Sequence, residues 1–376
     1  MANLSFEDLI VPQSPERFFT ELWEMENLCG GPLAQEQIAG LPSQADVDSL
    51  IYTLTLNDSD FISISNKSGV LPSSAYLSED SVDMTAVQEA QKAGYTIQLS
   101  RLEKRWPTAG QLARAIEHSF INHGHLLSER VSASLFMMPA HAECELSKNE
   151  YVVFVIQLEG AGWCTAAGET GKILQHEMEK GKALFIPRGF TCEIVTTESR
   201  SLYLSLYLRP YTWADLVLRV AQADPRLREL LTEVNWDHDD STADFIDRYQ
   251  ERVTGLLDGV DAREVATDIL NDFMTKLDNL PDEGFRQIQD LDSIGLDTSV
   301  AKRSGAFTHV IRDTDNLCLR FPGSGFKASH SIEPVFRFLS EKNSFLVSQL
   351  PDVLSPESKL QLVRELVREG LLKTVK

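Results

Sequence analysis

At 376 residues the chain exceeds the usual size of one domain, so two or three packed units are expected. Hydrophobic residues at 43% and charged residues at 24% match an ordinary globular protein and exclude a fibrous or disordered one. With 35 basic against 56 acidic side chains, the net charge of −21 repels a phosphate backbone, which argues against nucleic acid and leaves a basic protein or peptide as the fitting partner.

The N-terminus, MANLSFEDLIVPQSPERFF, has no basic stretch followed by an apolar one. No run in the chain reaches the roughly 20 apolar residues of a membrane helix. A cytoplasmic protein with no membrane partner is expected. The five cysteines, Cys29, Cys144, Cys164, Cys192 and Cys318, are widely spaced and form no CxxC pair, which fits a reducing compartment.

From Ser14 to Leu28 a Ser-Pro start and the spacing of Phe18, Phe19, Leu22 and Trp23 predict an amphipathic helix. A second helix is predicted where Ser43 or Asp46 can cap a stripe of Val47, Leu50, Ile51 and Leu54. Residues 57–95, rich in Ser, Asp and Asn, predict short strands and loops. A strand then leads to a Trp106-Pro107 break and a helix with Leu112, Ala115 and Ile116 on one face.

Between about 131 and 209 the period changes to two. VSASLFMMP, EYVVFVIQLEG, KALFIPRG, CEIVTT and SLYLSLYL predict short strands of a sandwich or barrel. After Pro210, acidic amphipathic helices run to about 280. The last segment predicts a helix, a short helix, a long helix ending at Gly370 and a terminal strand, an order that suits a small winged-helix module. Its second long helix, SPESKLQLVRELVREG, mixes both charge signs, which favours a solvated or intersubunit face over a DNA-reading one.

Over nearly its whole length the sequence resembles the cupin family of bacterial ribosomal oxygenases, relatives of the JmjC hydroxylases. The pieces that carry the resemblance are SRLEKRW (100–106), VFVIQLEG (153–160), ALFIPRGF (183–190), SLYLSLYL (201–208), TWADLV (212–217) and LVRELVREGLL (362–372). The resemblance implies an α+β fold: a double-stranded β-helix, or cupin/JmjC barrel, with N-terminal helices, a central helical dimerisation unit and a C-terminal winged helix. The corresponding boundaries are 1–210, 211–300 and 301–376. It also implies a homodimer, a protein substrate, and iron(II) held by an HxD pair and a distal histidine, with 2-oxoglutarate completing the metal's shell.

The ligand positions that the resemblance implies fall on Ser147, Asn149 and Cys192. A hydroxyl, an amide and a thiol offer at most one anionic donor in place of a carboxylate and two imidazoles, so iron affinity should collapse. The basic and aromatic run that helps to seat the co-substrate reads GAGWCTA, in which only Trp163 remains. A vestigial pocket lined by Ser147, Asn149, Trp163, Cys164 and Cys192 is therefore expected, with no metal and no cofactor. A non-catalytic protein- or peptide-binding dimer, or an accessory subunit pairing with an active relative, follows from that loss.

Three alternatives stay open. In the first, His141 and Glu143, at HxE spacing, join Cys192 in an unusual metal shell and the chain is an atypical 2-oxoglutarate-dependent dioxygenase. In the second, Cys144, Cys164 and Cys192 form a thiolate site or a nucleophile with His176 as base, against the plainer reading of buried inert thiols. In the third, His118, His123 and His125 bind a metal, against the plainer reading of a polar helix end.

Overall fold

The computed structural model describes residues 4–23, 30–146, 150–168, 173–223, 254–255, 262–277, 291–303, 306–312 and 316–375. The N-terminal part carries helices α1 (Phe6–Leu9), α2 (Pro15–Arg17), α3 (Gln35–Ile38), α4 (Gln44–Tyr52), α5 (Met84–Lys92) and α6 (Pro107–Asn122). Interleaved with them are strands β1 (Gly30–Pro32), β2 (Ile62–Asn66), β3 (Gly69–Val70) and β4 (Thr96–Leu99). The strand-rich middle contains β5 (Ser132–Met138), β6 (Glu143–Glu145), β7 (Val152–Glu159), β8 (Ala161–Ala167), β9 (Ile173–Glu179), β10 (Lys182–Ile186), β11 (Thr191–Thr196) and β12 (Ser201–Leu208).

Among the described residues, eight strands form an antiparallel sheet in the order β1-β10-β7-β12-β5-β4-β2-β3, and four form a second sheet, β6-β11-β8-β9. Side chains on a strand alternate between faces. On β12, Leu202, Leu204, Leu206 and Leu208 join Leu112, Ile116 and Phe120 of α6 in the helix-side core, while Tyr203 joins Cys164, Cys192 and Ile194 in a separate core between the two sheets. Each fully buried leucine contributes about 1.5–3 kcal/mol, so the alternation fixes which face meets the helices.

Helix α6 starts as its Trp-Pro break predicts: Pro107 is at its first position, and the Trp106 indole donates to the Gly40 carbonyl at 2.9 Å. Helix α4 begins at a capping box in which Ser43 and Asp46 bond each other reciprocally. The helix expected from Ser14 is present over its described part, where α2 runs directly into a π-helical turn, Phe18–Leu22, that packs Phe18 and Phe19 onto Phe6 and Phe120; residues 24–29 lie outside the described residues. One expectation fails nearby. Residues 57–95 contain helix α5 besides strands and loops. Asp83 caps it, accepting from the Thr85 and Ala86 amides at 2.9 and 3.1 Å, and Val87 and Ala90 supply a buried face too short to stand out from the polar sequence around it.

Helices α7 (Trp213–Ala223) and α8 (Ala262–Lys276) follow, and most of the expected central helical unit lies outside the described residues. The C-terminal part is built from β13 (Ser299–Lys302), β14 (His309–Arg312), β15 (Leu317–Phe321), β16 (Ser324–Ala328), α9 (Glu333–Glu341), β17 (Ser344–Leu346), α10 (Pro356–Arg368) and β18 (Leu372–Thr374). Two three-stranded sheets, β17-β13-β18 and β14-β15-β16, share with α9 and α10 a core running from Leu291 to Leu372. Helix α10 ends before Gly370, at φ +84°, as its glycine predicts. No helix among the described residues is long and apolar enough to cross a membrane.

The β7–β8 turn passes through Gly160 at φ +77°, where an added Cβ would collide with the carbonyl oxygen of Arg200. Gly160→Ala should therefore lower unfolding stability by more than about 1 kcal/mol in a denaturant titration. A neutral result would mean that the turn does not fix the approach of β7 to β12.

Candidate functional site

The alternation that sends leucines to the helices sends polar side chains the other way. Thr96 and Gln98 of β4, Ser132 and Ser134 of β5 and Tyr207 of β12 face the smaller sheet, together with Ser65 of β2 and Ser100. With Cys144, Glu145 and Leu146 from β6 and its C-terminal edge, and with Glu129, Phe136 and Tyr151, they enclose a cleft of about 370 Å³.

The lining is rich in hydroxyls and its hydrogen bonding is incomplete. Gln98 Nε2 donates to Ser100 Oγ at 3.2 Å and to Ser134 Oγ at 3.5 Å. Thr96 Oγ1, by contrast, is buried with no hydrogen-bond partner. Buried polar groups are normally satisfied, so an unfilled hydroxyl on a cleft wall marks a place where a ligand or water completes the bonding. Burial, with the Cys144 thiol as a second cause, pushes the Tyr207 phenol up, so it faces the cleft as a proton donor.

Among the described residues, the lining brings two carboxylates, Glu129 and Glu145, and no cation. Tyr151 donates to Glu129 at 2.9 Å, and Arg209, behind it, reaches Glu129 at 3.2 Å, Glu150 at 3.4 Å and Asp215 at 3.4 Å. Asp215 closes a capping box with Thr212 at the start of α7, through bonds of 2.9 and 2.6 Å to one carboxylate oxygen and 3.2 Å back to Thr212 Oγ1. The cleft wall and α7 are thus tied through one guanidinium.

Among the described residues, the expected site residues do not gather in this cleft. Ser147 and Asn149 lie outside the described residues. Cys164 and Cys192 sit in the core between the sheets, 0% and 2% exposed, with their sulfurs 3.1 Å apart. Contact with Cys164, followed by burial, pushes the Cys192 thiol well up. Trp163, expected to line the pocket, is on the opposite face of β8 from Cys164 and 40% exposed, because adjacent strand residues point apart. His141 is in an exposed turn at φ +56°, its amide donating to the Thr197 carbonyl at 3.0 Å. Glu143 is paired with Lys67 on the sheet surface, and Lys67 also reaches Glu193 at 3.3 Å.

No group of three or more His, Cys, Asp or Glu positioned to hold a metal occurs among the described residues. Of the helix-end histidines, His118 stacks on Phe307 at 5.0 Å, while His123 and His125 each stack on Phe19 at 4.7 Å. They are packing groups. The hydroxyl row is not singled out by the strand signals of VSASLFMM and TIQLS, although their polar residues at every second position carry it.

No protein-family model and no curated protein sequence matches the chain. The fold does match solved structures. The ribosomal oxygenase YcfD from Escherichia coli superposes with a TM-score of 0.54 at 15% identity, over 97% of this chain and 99% of that one. YcfD in complex with cobalt and 2-oxoglutarate gives 0.52, and in complex with cobalt and succinic acid 0.52, each at 15% identity over the same shares. The likeness is one of fold, a mixed α+β arrangement with antiparallel sheets.

Trp163 and Phe136 separate the two faces experimentally. Phe136, 4% exposed, stacks on Tyr203 with centroids 4.8 Å apart. Phe136→Ala should cost about 3–5 kcal/mol of unfolding free energy, and Trp163→Ala about 1 kcal/mol or less. Equal losses would place Trp163 inside.

Proposed function

We propose that the chain is a JmjC-type cupin related to the iron/2-oxoglutarate protein hydroxylases and that its pocket binds a protein or peptide without hydroxylating it. On this reading the two facing sheets are a double-stranded β-helix, residues 211–300 form a homodimerisation unit, residues 301–376 a winged helix, and the protein works in the cytoplasm.

The observation that carries the reading is the composition of the cleft wall. A dicarboxylate such as 2-oxoglutarate is held by a cation, best by a guanidinium fork, and the described lining residues offer hydroxyls and the carboxylates of Glu129 and Glu145 instead. Its seating there would place like charges together and leave a carboxylate without a counter-ion. The described donors do not fit iron(II) either: Cys192 is occupied by Cys164, and His141 and Glu143 lie apart on the surface. The reading as an atypical dioxygenase with His141, Glu143 and Cys192 as its shell gains no support from this arrangement.

The same wall suits a neutral or cationic side chain. Hydroxyls donate and accept, and two carboxylates attract a positive group at the opening. A basic segment of a protein partner also matches the overall charge of −21.

A fluorescent lysine-rich peptide and its glutamate-rich counterpart test this. The lysine-rich peptide should bind, more weakly as salt rises, and Glu145→Lys should reduce its affinity about tenfold, the equivalent of roughly 1.4 kcal/mol. Equal binding of the two peptides, or indifference to Glu145→Lys, would contradict a cation-selective pocket.

A further inference from the structure

Three residues in the smaller sheet stand together outside the cleft and take no part in it. Strand β8 lies between β11 and β9, with Cys164 opposite Ile194 on one side and opposite His176 on the other. Cys192 is paired with Ala166, two residues along β8 from Cys164, and the two sulfurs meet diagonally at 3.1 Å. Directly opposed residues share a face with Cβ atoms about 4.5–5.5 Å apart, so the half-buried His176 stands beside Cys164 on the side away from Cys192. The order across the strands is imidazole, thiol, thiol.

We propose that Cys164 and Cys192 are a redox couple, oxidised by a hydroperoxide to an intramolecular disulfide, with His176 as the base that activates Cys164. This does not depend on what the cleft binds, and its failure would leave the pocket reading untouched.

The chemistry balances with the peroxide as the two-electron oxidant. His176 takes the Cys164 thiol proton, and the thiolate attacks a peroxide oxygen. An S–O bond forms, the O–O bond breaks, and the departing hydroxide receives the proton from His176 to leave as water. Cys192 sulfur then attacks the Cys164 sulfenic acid. The S–S bond forms, the S–O bond breaks, and the hydroxide leaves with the Cys192 proton as a second water. Two thiols and one hydrogen peroxide give one disulfide and two waters.

The surroundings favour this division of roles. Burial pushes the His176 imidazole below its ordinary range, which keeps it neutral and able to accept a proton at neutral pH. Contact with Cys164 and burial push the Cys192 thiol up, so Cys192 is the poorer first nucleophile. Closing the bridge needs the sulfurs to approach by about 1 Å, from contact to the roughly 2.05 Å of a disulfide. Cys144, the half-buried thiol on β6, lies on the far side of β11, opposite Ile194, and is not positioned between the two.

The test uses the full-length reduced protein treated with hydrogen peroxide, quenched with a thiol alkylating reagent and digested without reduction. The expected product is a cross-linked pair of peptides containing Cys164 and Cys192, lighter by two hydrogen atoms and reopened by dithiothreitol, with Cys144 alkylated. His176→Gln should slow bridge formation by about tenfold or more near pH 7, with the deficit shrinking as pH rises and the thiol ionises unaided. A bridge that includes Cys144, oxidation of Cys164 or Cys192 to sulfinic acid without a bridge, or survival of both thiols would overturn the couple. A folded His176→Gln protein that oxidises at the parental rate would overturn the role given to the imidazole.

Discussion

The two-residue repeat of β12 places Leu202, Leu204, Leu206 and Leu208 against the helices and Tyr203, Ser205 and Tyr207 towards the smaller sheet, and both cores depend on that division. β12 is bonded to β5 over seven residue pairs, Ser201↔Met138 to Tyr207↔Ser132, and to β7 on its other edge. A slip of one residue would exchange every leucine for a hydroxyl on the helix side, so the register is held by the burial of the whole row and not by any one contact. The polar cleft and the apolar helix packing are two consequences of one alternation.

That origin explains the chemistry of the cleft. Its hydroxyls come from β2, β4 and β5, strands whose other faces carry Ile62, Ile64, Ile97, Leu99, Ala133 and Leu135 in the helix-side core. The lining thus rests on strands whose opposite faces are fully packed against the helices. Among the described residues, the lining combines unsatisfied Thr96 Oγ1 with phenols kept protonated and with carboxylates at Glu129 and Glu145, and none of them supplies the positive charge that a dicarboxylate co-substrate would need. A buried Cys164–Cys192 thiol pair lies behind it, with the sulfurs 3.1 Å apart.

Much of the fold was legible in the sequence. The change of period near residue 131 located β5 to β12, the Trp106-Pro107 break located α6, and Gly370 located the end of α10. Helix α5 was hidden because its polar content resembles a loop, and only Asp83 as a cap gave it away. The site was less legible. Periodicity tells which residues of one strand share a face, but which face looks inward is set by partners far away in the chain. Trp163 and Cys164 therefore read alike as pocket residues in the sequence although they lie on opposite faces of β8, and nothing in the sequence marks the meeting of Cys164 with Cys192, 28 residues apart. The position of His176 opposite Cys164 likewise follows only from the β8–β9 register.

The central claim, put forward here as a proposal, is that the cleft binds a partner without iron or 2-oxoglutarate. Titration of purified, reduced protein with iron(II) and 2-oxoglutarate tests it most directly. The account predicts no stoichiometric iron in the chain and no 2-oxoglutarate held beside it. Stoichiometric iron in the chain, with 2-oxoglutarate bound beside it, would contradict it.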